Sequence, residues 1–287
     1  MKQTEKIKLF GDRDFGGNFD MSMGFIKQNY VHIFKALCYL TPLAILAAFL
    51  MPNLFQTYYN MSLNRTPDTF YSEGEILGML FAYPLLMIII FCIALYTISY
   101  MALYVKSEDG KVNSKDVWNK VKKAALPVLG ASILYGIAVS IGTMLCFIPG
   151  IIVSIYLIFY AYVYINEDLG IIDSLKYSIT LVQHNWWVTF GFYLVTSIIM
   201  SMISVIFAIP SYVGMIGSSL QVEFLASSIF FIIAMMIAFV GYIFVTPCLF
   251  MALGVMYYSH VNKIEGIDMQ TEIDSIGANN DTQHNSY

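Results

Sequence analysis

The chain has 287 residues, of which 58% are hydrophobic and only 12% charged, with a formal net charge of −4. Soluble domains usually carry about 25% charged residues, so this composition excludes an ordinary soluble globular fold. No basic surface of the kind that binds nucleic acid is indicated.

In chain order, residues 1–30 are polar, with Phe19, Phe25 and Ile26 preceding Tyr30. This lead is too long for the n-region of a cleavable signal. The first apolar stretch, Val31–Met51, therefore reads as an uncleaved anchor. A polar and aromatic loop, Asn53–Gly74, carries Arg65 and leads to the second stretch, Ile76–Val105. A lysine-rich segment follows, in which Val117, Val121 and Ala124 share one helical face with Lys115, Lys120, Lys122 and Lys123 around it. Next come Leu126–Ile148 and Ile151–Ile165, broken only at Pro149-Gly150. Forty residues suit two crossings joined by a very tight turn; one kinked helix is the alternative. Ile172, Leu175, Ile179 and Val182 then repeat at helical spacing, followed by the fifth stretch, Trp186–Ile209. A Ser/Gly-rich loop, Pro210–Phe224, leads to the sixth, Leu225–Tyr258. The polar, acidic tail after Gly266 is expected to be disordered.

A span needs about 20 apolar residues to cross about 30 Å of hydrocarbon. Every Lys and Arg except Arg65 falls on one side of the topology that six spans imply, which puts both termini in the cytoplasm. The expected fold is all-α: a polytopic membrane helical bundle of six transmembrane helices arranged as three hairpins, each preceded by a cytoplasmic interfacial amphipathic helix. The divisions are 1–30, a cytoplasmic N-terminus with an interfacial helix; 31–260, the six-span domain; and 261–287, the tail. Similar endings close the even spans: Tyr104-Val105-Lys106-Ser107-Glu108-Asp109-Gly110, Tyr164-Ile165-Asn166-Glu167-Asp168-Leu169-Gly170 and Val261-Asn262-Lys263-Ile264-Glu265-Gly266. In each, a glycine suited to stopping a helix follows the acidic residue. This suggests a three-unit repeat, although shared topology alone would give much the same pattern.

Residues that could carry chemistry are few. No charged side chain falls at mid-span depth, where ion pathways usually place one. There is no HExxH, GxSxG or GxxxxGK[ST] motif. The histidines, His32, His184, His260 and His284, fall at interfaces or in the tail. Cys38, Cys92, Cys146 and Cys248 lack metal-ligand spacing and read as small buried apolar residues. We therefore expect no enzymatic activity, no cofactor and no metal. The fifth span carries Thr189, Tyr193, Ser197, Ser201 and Ser204 on one face. This polar stripe either lines a cavity or packs against neighbouring helices. Glu167, Asp168 and Lys176 bracket the turn into the segment before the fifth span, where a structural ion pair or helix cap is expected rather than a binding role; Pro149, Gly150, Glu167, Gly170, Lys176 and Trp186 together read as an interfacial structural motif. Trp186 and Trp187 sit at the membrane boundary, where indole anchors.

The run Pro149-Gly150-Ile151, Glu167-Asp168-Leu169-Gly170, Ser174-Leu175-Lys176-Tyr177-Ser178 and Asn185-Trp186-Trp187 resembles a broad group of bacterial multi-span proteins. That group is related to the membrane domain attached to some glycerophosphodiester phosphodiesterases. Ser174 stands where the group has alanine, and Tyr177 where it has arginine. Arg13-Asp14-Phe15-Gly16 and Phe25-Ile26-Lys27-Gln28-Asn29 resemble Bacteroidetes-type members. The resemblance covers most of the chain but has no counterpart of the catalytic barrel, so it implies a fold and a location and no activity. The expected role is a scaffold or accessory subunit of the bacterial inner membrane, with membrane lipids and a membrane protein as partners. A transporter or lipid-handling protein for a neutral or amphipathic molecule is the alternative, and an enzyme built from interfacial residues a third.

Overall fold

The structure is a computed structural model that describes residues 6–50, 73–222, 224–225 and 227–267. The described residues form α1 (Phe15–Leu37), a 3-10 turn (Cys38–Leu40), α2 (Thr41–Leu50), α3 (Glu73–Lys106), α4 (Ser114–Leu145), α5 (Phe147–Tyr156), α6 (Tyr160–Asn166), α7 (Ile171–Gln183), α8 (Trp186–Ser219) and α9 (Ser228–Glu265). They contain no strand. Six helical segments are long and apolar enough to cross a membrane: Phe15–Leu50, Leu80–Lys106, Ser114–Leu145, Phe147–Asn166, Trp186–Gly217 and Ile229–Glu265. The protein is thus an all-helical, multi-pass membrane protein. Helices are what a chain this apolar must form, because hydrocarbon offers nothing to bond a free backbone group. The outward surfaces agree: Leu126, Met144 and Leu145 on α4 and Trp187, Met202 and Ile206 on α8 are all exposed.

Several boundaries differ from those read in the sequence. Helix α1 starts at Phe15, where the Asp14 carboxylate accepts from the Gly17 N–H at 2.7 Å and caps the first turn. It runs through the expected interfacial segment into the first span. Helix α4 starts at Ser114, with the Asn113 side chain accepting from the Lys115 N–H at 3.1 Å, and also continues unbroken into its span. A change from polar to apolar surface suggests two helices, but nothing there interrupts the backbone bonds. Only α7 is a separate helix before its span. Helix α8 passes through Pro210 to Ser219, so most of the expected loop is helix. Of the expected loop Asn53–Gly74, residues 53–72 lie outside the described residues and Glu73 and Gly74 already belong to α3; the tail from 268 onward also lies outside them.

The helix stops follow the glycine pattern twice. Gly110 and Gly266 have φ of +71° and +66°, the left-handed geometry that glycine adopts without penalty. At the ending after Asn166, Asp168 takes that role, with φ of +49°. Gly170 is instead extended at the N-cap of α7, where its carbonyl accepts from the Ser174 N–H and hydroxyl, both at 2.9 Å.

The chain divides into two compact units: Met1–Asn29, Leu95–Val195 and Phe250–Tyr287 form the first, Tyr30–Ala94 and Thr196–Leu249 the second. In the first, α4 and α5 make a hairpin joined by one extended residue, Cys146, with φ −170° and ψ 150°. The break is therefore at Cys146, and Pro149-Gly150 lies in the first turn of α5. A proline is tolerated there because its missing N–H would be unbonded anyway. Gly150 makes the close turn possible: a Cβ on it would lie 2.2 Å from Thr143 Oγ1 and 3.0 Å from the Thr143 backbone nitrogen. A Cβ on Gly142 would lie 3.1 Å from the Gly150 Cα.

In the second unit, Tyr30 donates to the Phe244 carbonyl at 3.0 Å, and Phe34 packs on Phe244 with ring centroids 4.5 Å apart. Gly241 accommodates Phe207, whose Cβ would lie 2.4 Å from an added methyl. Past Pro210, Gly214 abuts Phe230 and Phe231. These close approaches hold the last turns of α8 in place beyond the proline. Cys38 and Cys146 are exposed, and all four cysteines are free, so the expectation of four buried cysteines is not met.

Candidate functional site

The first unit is built round tyrosines. Tyr96, Tyr104, Tyr162, Tyr257 and Tyr258 are among its largest fully buried side chains, with Phe25, Phe159 and Phe192. A buried hydroxyl needs a partner, and four of these tyrosines have one from a distant element. Tyr162 donates to the Phe250 carbonyl at 2.6 Å, Tyr257 to Glu167 Oε1 at 2.7 Å and Tyr258 to Asn166 Oδ1 at 2.9 Å. Tyr104 accepts from the Ile7 N–H at 2.9 Å. Nearby, the half-buried Tyr177 donates to Glu265 at 2.5 Å. Burial first, and then Glu265, push its hydroxyl above the usual tyrosine range.

Phe159 lies at the centre of this cluster, edge-on to Tyr162 at 6.1 Å and to His260 at 5.6 Å, and tilted against Tyr257 at 5.9 Å. It sits where the helix is interrupted between α5 and α6. There Ser178 of α7 stands in for the missing helical bonds: its hydroxyl accepts from the Phe159 N–H at 3.1 Å and donates to the Tyr156 carbonyl at 2.9 Å. His260, only 2% exposed, has its Nε2 3.0 Å from the Thr189 hydroxyl. That hydroxyl also lies 3.0 Å from the Asn185 carbonyl. His260 Nδ1 has no hydrogen-bond partner among the described residues.

The N-terminal segment crosses the ends of three helices. Lys6 Nζ donates to the carbonyls of Val105 and Ser107 at 2.9 and 2.5 Å, meeting the free carbonyls at the end of α3. Phe10 packs edge-on to Tyr258 at 5.1 Å, Asp12 pairs with Lys263 at 3.4 Å, and Phe15 packs on Phe192 at 5.8 Å. None of this was visible in the sequence, because every contact joins residues far apart in the chain.

The residues singled out in the sequence are dispersed. In the first unit, Thr189 is buried on His260 and Tyr193 is half-buried. In the second, Ser197 and Ser204 are half-buried, whereas Ser201 is exposed. The stripe as a whole therefore does not face neighbouring helices, as packing alone would require. Glu167 is the acceptor for Tyr257. Lys176 forms an exposed ion pair with Asp173 at 3.5 Å, which contributes little at a surface. Trp186 donates from Nε1 to the Ile152 carbonyl at 3.4 Å and stacks on Phe190 at 5.3 Å, so it ties α8 to α5.

On α7 the buried face is Ser174, Ser178, Leu181 and Val182, while Ile172 and Ile179 are exposed. Of Ile172, Leu175, Ile179 and Val182, which the helical spacing puts on one face, only Val182 is buried and Leu175 is half-buried. The two serines are small enough to let α7 approach the break at Phe159, and the isoleucines are left outside. Lys115 and Lys122 are exposed and Val117, Val121 and Ala124 are buried, as their spacing on α4 predicts.

No group of three or more His, Cys, Asp or Glu side chains suited to a metal occurs among the described residues. No protein-family model, curated protein or solved structure matches the chain. The arrangement is thus a network of hydroxyl, carboxamide and carboxylate bonds inside an aromatic core. Its residues hold helix ends together.

Proposed function

We propose that the protein resides in the bacterial inner membrane with both termini in the cytoplasm. There it serves, without enzymatic activity, as a scaffold or accessory subunit that organises lipids or a membrane-protein partner. The observation that carries this reading is the packed interior of the first unit, where Tyr162, Tyr257 and Tyr258 spend their hydroxyls on internal acceptors. Large buried side chains tied to fixed internal acceptors suit a surface that presents rather than a path that conducts. The resemblance to the membrane domain of glycerophosphodiester phosphodiesterases supports the same fold and location. The orientation rests on the charge bias. An impermeant thiol reagent applied to intact cells is expected to label a cysteine placed at Arg65 and to spare one placed at Lys111. Labelling at Lys111 refutes the orientation.

A second reading, a transporter or lipid-handling protein for a neutral or amphipathic molecule, is favoured by one observation. Buried hydroxyls with no partner among the described residues occur in both units, Thr97, Ser99 and Ser259 in the first and Thr196, Ser197 and Ser211 in the second, as groups awaiting a polar solute would be. Purified protein in liposomes separates the two readings. The scaffold reading expects no gradient-driven solute uptake, and only mild loss of stability when Ser197, Ser201 and Ser204 are changed together to alanine. Uptake that this triple change abolishes overturns the scaffold in favour of the transporter.

A further inference from the structure

The outward face of α4 has the polarity of a phospholipid. Lys115, Lys122 and Lys123 are exposed on its first turns. Seven, eight and eleven residues on from Lys115 are Lys122, Lys123 and Leu126, spacings that keep side chains on one helical face. That face continues through Leu129, Ile133 and Ile137, exposed by 44%, 57% and 51%, below Leu126 at 78%. From Lys122 to Ile133 the helix rises about 16 Å at about 1.5 Å per residue, close to half of a hydrocarbon core of about 30 Å. The opposite face is already committed to the protein interior through Val117, Val121, Ala124 and Val128.

Three lysines outnumber Asp116, the acidic residue in the first turn of α4. The ion pairs among the described residues are Lys111–Asp109, Lys176–Asp173 and Lys263–Asp12, and none uses the three α4 lysines. Helix α7 forms one side of the surface: a Cβ on Gly130 of α4 would lie 3.4 Å from Ile171 Cδ1. Ile172 and Ile179 of α7 are themselves exposed. A protein partner is a poor match, because lysine is depleted in the cores of protein interfaces. An amphiphile with a negative head over acyl chains matches both halves at once.

We propose that this face of α4, bordered by α7, binds an anionic phospholipid, with Lys115, Lys122 and Lys123 at the headgroup and the leucine and isoleucine column along the acyl chains. The site gives a scaffold its lipid preference, and so deepens the lipid-organising role proposed above. The test uses the full chain in phosphatidylcholine nanodiscs and a fluorescent phosphatidylglycerol as probe. Phosphatidylglycerol is expected to bind and labelled phosphatidylcholine not to compete. Together, Lys115→Gln, Lys122→Gln and Lys123→Gln are expected to weaken binding about 100-fold, since each lysine near an anionic headgroup is worth roughly a five-fold factor. Glutamine keeps helix propensity at exposed positions, so helicity and thermal stability in phosphatidylcholine should not move. Lys111→Gln, at a lysine already paired with Asp109, should leave binding as it is. Equal binding of both lipids, or full binding by the triple variant, overturns the inference. So does competition by millimolar glycerol phosphate alone, which would mean that the lysines read a soluble phosphate and not a lipid. Solute uptake by a protein that still prefers phosphatidylglycerol would sink the scaffold and leave this site standing.

Discussion

Gly150→Leu is expected to lower the thermal stability of the purified protein by an amount in the range of about 1–3 kcal/mol or more, the usual cost of forcing side-chain volume into a packed contact. The first carbon alone is the difficulty: it would stand 2.2 Å from Thr143 Oγ1 and 3.0 Å from the Thr143 backbone nitrogen. The hydroxyl cannot simply swing away, because it donates to the Val139 carbonyl at 2.8 Å. The backbone atom cannot move without opening the hairpin at Cys146. Gly150→Ala should cost less. Combined with Thr143→Ala it should recover part of the loss, because the hydroxyl contact goes while the backbone contact at 3.0 Å stays. Unfolding followed by tryptophan fluorescence in detergent gives the comparison. An unchanged melting temperature for Gly150→Leu would mean that α4 and α5 do not close on each other at this turn.

The same hairpin shows what was legible in the sequence and what was not. Six spans were legible because crossing hydrocarbon demands a length of apolar residues that few other roles require. Their ends were not, because polarity reports the solvent around a helix and not its hydrogen bonds. Asn113 caps α4 well before Leu126, and every residue between them is helical. At Pro210 the sequence suggested a loop, yet one missing N–H does not end a helix whose next turns are packed through Gly214 on Phe230 and Phe231. The turn that Pro149-Gly150 suggests is there, but the break lies three residues earlier, at Cys146. The tyrosine network was invisible for a different reason. Tyr257 and Glu167 are 90 residues apart and Thr189 and His260 are 71 apart, and no local periodicity couples such positions. His260 was read as interfacial because it lies near a helix end. What buries it is Phe159, at a break between α5 and α6 that the apolar run Ile151–Ile165 gives no sign of.

That break makes Phe159 the most sensitive side chain in the first unit. Phe159→Ala is expected to destabilise the protein by about 3–5 kcal/mol, the usual cost of removing a buried aromatic ring and leaving a cavity. Phe159 is fully buried and lies against Tyr162, Tyr257 and His260, whose own bonds run to the Phe250 carbonyl, Glu167 and Thr189. Losing the ring therefore loosens three tethers between distant helices as well as one contact. Ser178→Ala separates the ring from the backbone. It leaves Phe159 in place and strands its buried N–H, a loss of about 1–3 kcal/mol, so it should cost less than the ring. Phe159→Leu fills part of the space and should fall between alanine and the parent chain. Thermal unfolding ranks the three variants, and protease sensitivity of the α6–α7 turn shows whether the loss is local. If Phe159→Ala melts with the parent chain, the aromatic cluster is not the core of this unit, and the packed-interior argument for a scaffold fails with it.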